Sequence, residues 1–316
     1  MEQSKALQDQ GATEGTEQDN RFYKIRNTGK CLSEGISLLT EHFLRMLFLS
    51  LPVSIPYALS SAIIAHLSTH IISGLTTSML VWILSFSTIL FLCSIAMLAL
   101  VFRFVEVKAS NESLKQQTFK SIYNKNFFGL NIKALFYIII TSILAAIACG
   151  LVFLYMMIGS KDWDLDKTIL KVIGLVVILL VLLTIAIAYN NVLPTVMLQK
   201  GSFVRPYIDG FKRGFKKWGK MMQISVLVAL LVGVVSFLLN APAIVFTFVQ
   251  RAALTSQLNG DAVNLPDHFE IWMFITLLIT SFVSFYIQML YFTPLSFTYA
   301  SIKTEEEEAD GAIPMV

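Results

Sequence analysis

The chain has 316 residues, of which 55% are hydrophobic and 14% charged; ordinary soluble domains carry roughly 45–50% and about 25%, so a water-soluble globular fold is excluded. Its charges are segregated, leaving uncharged runs at Met46–Phe102, Ala134–Ser160, Val172–Gln199, Met221–Gln250 and Ile271–Ile302. The three cysteines, Cys31, Cys93 and Cys149, lie in separate segments, which excludes a disulfide framework and a Cys-x-x-Cys metal pair.

Residues 1–29 are polar, rich in Gln, Glu, Gly and Thr, and read as a disordered cytoplasmic tail. No positive cluster stands directly before a short apolar core there, so the first span is expected to serve as both targeting signal and permanent anchor. A hydrocarbon core about 30 Å thick takes about 20 helical residues to cross. The first uncharged run has 57 residues. As one helix it would reach about 85 Å, so it must hold two spans, with His66–Gly74 as the turn between them. Each of the other four runs holds one, giving six. Runs such as Leu175–Leu183 do not alternate in polarity, which rules out barrel strands.

Lysine and arginine set the orientation. Six lie in the N-terminal segment (Lys5, Arg21, Lys24, Arg26, Lys30, Arg45), six between Arg103 and Lys133, and seven between Lys200 and Lys220. The alternate loops are poor: none joins the first two spans, three at Lys161–Lys171 are offset by Asp162, Asp164 and Asp166, and one at Arg251–Glu270 faces three acids. The positive-inside rule places the basic segments and both termini in the cytoplasm. The expected fold is therefore an all-α polytopic membrane protein, with six transmembrane helices in three hairpins. The six-helix domain covers 30–302, and 303–316 forms an acidic cytoplasmic tail.

The stretch Phe203–Lys220 places Val204, Tyr207, Ile208, Phe211, Phe215 and Trp218 at helical spacing and Arg205, Lys212, Arg213, Lys216 and Lys217 on the other face. Pro206 suits the first turn of such a helix. A basic amphipathic helix of this kind lies in the plane of the interface with its cations toward anionic headgroups. Lys212, Arg213, Lys216, Lys217 and Trp218 are thus expected to anchor it. The pattern recurs at offsets of 88 and 175 residues: Tyr207, Phe211, Phe215 and Trp218 align with Phe119, Tyr123, Phe127 and Leu130, and with Leu32, Ile36, Thr40 and Phe43. The chain is expected to contain three copies of one unit, about 30–113, 114–201 and 202–302, each an interfacial elbow helix followed by a hairpin.

Through the elbow Gly210-Phe-Lys-Arg-Gly-Phe-Lys-Lys-Trp218 and the endings Asn191-Val-Leu-Pro194 and Tyr291-Phe-Thr-Pro294, the chain resembles bacterial six-helix membrane families of unknown function. Among these is the membrane domain that precedes some glycerophosphodiester phosphodiesterases. The resemblance implies a membrane domain of this layout. The soluble catalytic part of such enzymes has no counterpart here, so the resemblance brings over no catalytic residue.

Prolines lie inside four spans: Pro52 and Pro56, Pro194, Pro242, and Pro294. Each frees a backbone carbonyl. With neighbouring polar groups, Ser54, Asn190, Asn191, Pro194, Thr293 and Pro294 fall toward the cytoplasmic end, where broken helices would line a cavity open to the cytoplasm. His66 and His70 stand four apart on one helical face, with Asp267 and His268 in another loop on that side. They have the donors for zinc, but nothing in the sequence joins the two loops, so they read as interfacial polar residues and no metal is assigned. No acid lies inside any uncharged run, which disfavours a proton-driven carrier.

No nucleotide-binding or hydrolase signature occurs, and no cofactor is implied. The expectation is a non-enzymatic protein of the cytoplasmic membrane, permease-like, lipid-handling or scaffolding. Its partners are phospholipids and other membrane proteins rather than nucleic acid, since the basic runs are attached to spans. An uncoupled transporter or channel is the alternative; an intramembrane enzyme acting on lipids is the second.

Overall fold

The computed structural model describes residues 22–74, 76–157, 165–199, 201–260, 265–309 and 311. Among the described residues the chain forms ten α-helices and no strand: α1 Thr28–Glu41, α2 Phe43–Thr69, α3 Thr77–Ala109, α4 Phe119–Ile122, α5 Lys125–Met157, α6 Leu165–Tyr189, α7 Val192–Leu198, α8 Val204–Lys216, α9 Trp218–Leu258 and α10 Phe269–Ala309. Six segments are long and apolar enough to cross a membrane: α2, α3, α5, Val172–Leu198 (the end of α6 continued through α7), α9 and α10. The chain is a multi-pass membrane protein on that ground. Helices are the form these runs must take, because a backbone in oil has to satisfy its own donors and acceptors.

Local chemistry sets where each helix starts and stops. The Asn27 side chain accepts from the Lys30 amide at 2.8 Å and opens α1. After α2, one 3₁₀ turn at His70–Ser73 ends on Gly74, whose φ of 122° is open to glycine, and Thr76 caps α3 through the Met79 amide at 3.3 Å. Thr118 and Ser121 form a reciprocal capping box around α4. Asn124 then accepts from the amides of Asn126 and Phe127 at 3.0 and 3.2 Å and starts α5.

The basic segments gather at one end of the molecule. Arg26 and Ser301 exchange backbone and side-chain bonds at 2.7 and 3.2 Å, Arg45 donates to the carbonyl of Gln117, and Arg103 donates to that of Ser121 at 3.2 Å. At this end α10 runs through the middle of the packing, sheathed by α1, α2, α3, α7 and α9, with Ser296 to Ile302 buried without interruption. The other end is built differently. Ile143, Ile147, Leu151 and Leu154 of α5, Val176, Leu180 and Leu183 of α6, and Phe237, Val245 and Phe248 of α9 are exposed, an apolar surface compatible with lipid. A small second core of Ala62, Ala243, Met273 and Leu277 ties α2, α9 and α10 together there.

Four expectations need correction. Residues 22–29 are not a loose tail: the Phe22 ring is buried 5.1 Å from that of Phe297, and α1 begins at Thr28. The remainder of the expected tail, 1–21, lies outside the described residues. Residues 303–309 continue α10 as helix, since Lys, Glu and Ala are strong helix formers; 310 and 312–316 lie outside the described residues. The second elbow is a single four-residue turn, α4, because the Asn124 cap restarts the chain before Phe127, and Phe127 and Leu130 belong to α5. Finally, Pro52, Pro56, Pro242 and Pro294 sit inside continuous helices. Only the fourth span is interrupted, and its break lies at Asn190–Asn191, before Pro194.

Candidate functional site

The elbow α8 is seated by its small residues. Pro206, Gly210 and Gly214 are its buried positions. A Cβ on Gly210 would stand 2.9 Å from Val192 Cα and 3.0 Å from Thr195 Cβ, and one on Gly214 would meet the carbonyl oxygen of Ala188. The helix therefore lies directly against the end of α6 and against α7, and Asn191 fixes it there by donating from Nδ2 to the carbonyl of Gly210 at 3.1 Å. Val204, Ile208 and Phe215 face outward as exposed apolar groups. The first elbow repeats the arrangement: Gly35 of α1 would place a Cβ 2.6 Å from Pro294 N and 2.7 Å from its Cα.

The expected anchors divide between two surroundings. Arg213 Nε meets Glu306 at 2.7 Å, Lys216 Nζ meets the same carboxylate at 3.7 Å, and Lys217 Nζ meets Glu305 at 2.9 Å. Lys220 joins Glu305 as well and donates to Ser301 Oγ at 2.8 Å. Three of the five expected anchors thus pair with the acidic end of α10. Lys212 is exposed with no carboxylate partner among the described residues. Trp218 opens α9 and donates its indole N–H to the carbonyl of Thr184 at 3.4 Å. Lys220, Glu305, Glu306, Gly35, Gly210 and Gly214 were not singled out by sequence reasoning. The four-residue spacing of Gly210 and Gly214 was a readable signal, since paired small residues let helices approach closely in membranes.

None of the residues expected to line a cytoplasmic cavity stands in the wall of either cavity at the basic end. Ser54, Asn191, Pro194, Thr293 and Pro294 are buried and Asn190 is half-buried. Ser54 Oγ accepts from Tyr286 at 3.2 Å, within a polar seam between α2 and α10. That seam includes Ser50 with Tyr286 at 3.0 Å, Tyr57 with Gln288 at 2.7 Å and Ser61 with Ser281 at 3.1 Å. Asn190 belongs to a second network, donating to Ser225 Oγ at 2.9 Å and accepting from Tyr291 at 3.3 Å. Thr293 Oγ1 and Asn191 Oδ1 are buried without a hydrogen-bond partner among the described residues. Ser54, Asn190 and the Asn191 amide nitrogen thus hold helices to one another.

Two cavities at the basic end are lined by other residues. The smaller, about 260 Å³, has Lys24, Arg26, Glu34 and His42 in its wall, and Glu34 takes both cations, at 3.3 Å from Lys24 and 2.8 Å from Arg26. The larger, about 760 Å³, lies between the end of α3, the opening turns of α5 and the end of α7. Lys133 stands in its wall and donates from Nζ to the carbonyls of Val196 at 3.0 Å and Gln199 at 2.6 Å. There it satisfies the open C-terminal carbonyls of α7 and complements that helix's dipole.

Other potential chemistry is bland. Burial pushes the Cys31 thiol above its ordinary range, which suppresses the reactive thiolate. His66 and His70 touch edge to face at 5.2 Å. Among the described residues no group of three or more His, Cys, Asp or Glu side chains is placed to hold a metal ion; His268 does not complete one. No protein-family model, curated protein or solved structure matches this chain.

Proposed function

We propose that this chain is a non-enzymatic, lipid-handling protein of the cytoplasmic membrane, with both termini and the three elbows on the cytoplasmic side. The observation that carries this reading is the polarity of the molecule. Six apolar helices expose lipid-compatible flanks, while the three most basic stretches of sequence meet in one packed end. That is the distribution expected of a protein held by anionic headgroups on one side. Lipid handling is preferred to a solute route because Ser54, Asn190 and Asn191 are engaged between helices, whereas the larger of the two cavities at the basic end is lined by Lys125 and Lys133.

The same reading takes the chain as three copies of one elbow-and-hairpin unit. Gly35 and Gly210 stand 175 residues apart, the offset found from the aromatic pattern. Each seats an elbow on the end of another unit, at Pro294 and beside Pro194 respectively. Arg103, at the close of the first unit, holds the carbonyl of Ser121 in the second elbow, so each elbow rests on the unit before it in cyclic order.

Orientation is tested with single cysteines at Lys212 and Asn259 in a chain otherwise freed of cysteine, using an impermeant maleimide. Lys212→Cys should label only in inside-out vesicles and Asn259→Cys only in intact cells stripped of any outer barrier. The reverse pattern would overturn the assignment, and recovery of the chain in a carbonate-washed soluble fraction would overturn the membrane reading altogether.

A further inference from the structure

We infer that the cavity between α3, α5 and α7 is a binding site for a phosphate ester, with Lys133 and Lys125 receiving the phosphate. The inference rests on the lipid-handling reading and names a ligand class and a place for it.

Three observations converge. First, the cavity of about 760 Å³ falls within the range of small-molecule sites, about 300–1,000 Å³. Second, its cations outnumber its acid, Lys125 and Lys133 against Glu106. An ammonium group has three donors; Lys133 gives two to Val196 and Gln199, and its third has no protein acceptor among the described residues. Lys125 lines the same cavity and is exposed, with no carboxylate partner among the described residues. Glu106, the one acid in the wall, is already held by Arg103 at 2.7 Å. The nearest structural account, that Lys133 serves only as a cap on α7, explains two bonds but neither the second lysine nor the open volume.

Third, the space between the two cations is kept clear. Lys125, Gly129 and Lys133 succeed one another at four-residue intervals and so share one face of α5. A Cβ added to Gly129 would meet nothing within 4 Å. Glycine inside a helix is unfavourable relative to alanine, and here no close helix contact requires it. Its effect is open space on the helix face between the two lysines. A phosphate oxygen would take the free Lys133 proton and a bond from Lys125, while Leu130, Met197 and Leu198 supply apolar walls. Phe128, Ile132 and Phe136, exposed along α5, continue toward the bilayer and offer a track for acyl chains. Phospholipid headgroups and soluble phosphate esters share the recognised chemistry.

The test uses the full chain in detergent micelles, titrated separately with phosphatidylglycerol, phosphatidylcholine and glycerol 3-phosphate, with bound ligand counted by native mass spectrometry. The variants are Lys133→Gln, Gly129→Leu and, as a cation of the same end outside the cavity, Lys120→Gln. The expected result is about a tenfold loss of phosphatidylglycerol affinity in the first two and none in the third. Gly129→Leu fills the gap without removing charge and improves helix propensity, so its loss cannot be ascribed to misfolding if the melting temperature is kept. Saturable glycerol 3-phosphate binding lost in the same two variants would support the site and identify its ligand as a soluble ester. Equal losses in Lys133→Gln and Lys120→Gln with Gly129→Leu unchanged would show diffuse attraction and overturn the site, leaving the membrane reading intact. Absence of saturable binding by the unmodified chain would overturn it as well.

Discussion

Glycine decides how close the elbows come. Gly35 faces the backbone of Pro294 and Gly210 that of Val192 at separations no side chain tolerates, so replacing either with leucine must push an elbow off its seat. Overpacking of this kind costs about 1–3 kcal/mol, and more where the obstacle is backbone. Melting of the detergent-solubilised protein should fall in Gly35→Leu and Gly210→Leu, whereas Gly129→Ala, with open space around it, should hold or rise by up to about 1 kcal/mol. An unchanged melting point in both leucine variants would show that the elbows do not pack as described.

At the scale of the element, the acidic end of α10 works on α8. Four cations meet two carboxylates there, and the carboxylates are mostly shielded, at 15% and 20% exposure. Isolated surface pairs contribute about 0–1 kcal/mol; a shielded network sharing charges should sit at the upper end per pair. Glu305→Gln with Glu306→Gln should destabilise by about 1–2 kcal/mol at low salt, and the gap to the unmodified protein should narrow in about 0.5 M salt, where screening falls below 5 Å. A salt-independent difference would place the effect in packing instead. The double variant should also bring Arg213, Lys216 and Lys217 into contact with headgroups, the role the amphipathic pattern suggested for them. That pattern could not reveal the pairing, because which distant acid meets a given lysine depends on how α10 crosses the bundle, and nothing local encodes it.

Across the whole molecule, the legible part of the fold was the part that a bilayer dictates. Uncharged runs must be helices of a given length, and Met46–Phe102 had to bend near His66–Gly74, as it does. Proline content was misleading, because a helix can carry Pro52, Pro56, Pro242 and Pro294 without interruption when neighbours pack around it. The candidate site was illegible for a related reason: Lys125, Gly129 and Lys133 gain meaning only when α3 and α7 close a space around them. Packing here is lopsided, with α10 filling the middle of the basic end, and truncation after Leu295 would remove that filling. The shortened chain should still resist carbonate extraction through its remaining spans, yet be cut by trypsin at Arg26, Arg45 and Arg103, which are sheltered in the full chain. Equal trypsin resistance in both would contradict the central place of α10.

That arrangement has a consequence in time. α10 is the last of the six spans to leave the ribosome, and although the earlier helices can pair among themselves, the contacts that α1, α2, α3, α7 and α9 make with it wait until it arrives. Each preceding helix can enter the bilayer as it is made, but the basic end closes only once α10 is in place, and a product stalled or shortened before α10 would wait in the membrane with that part of its core unformed, a substrate for quality-control proteases.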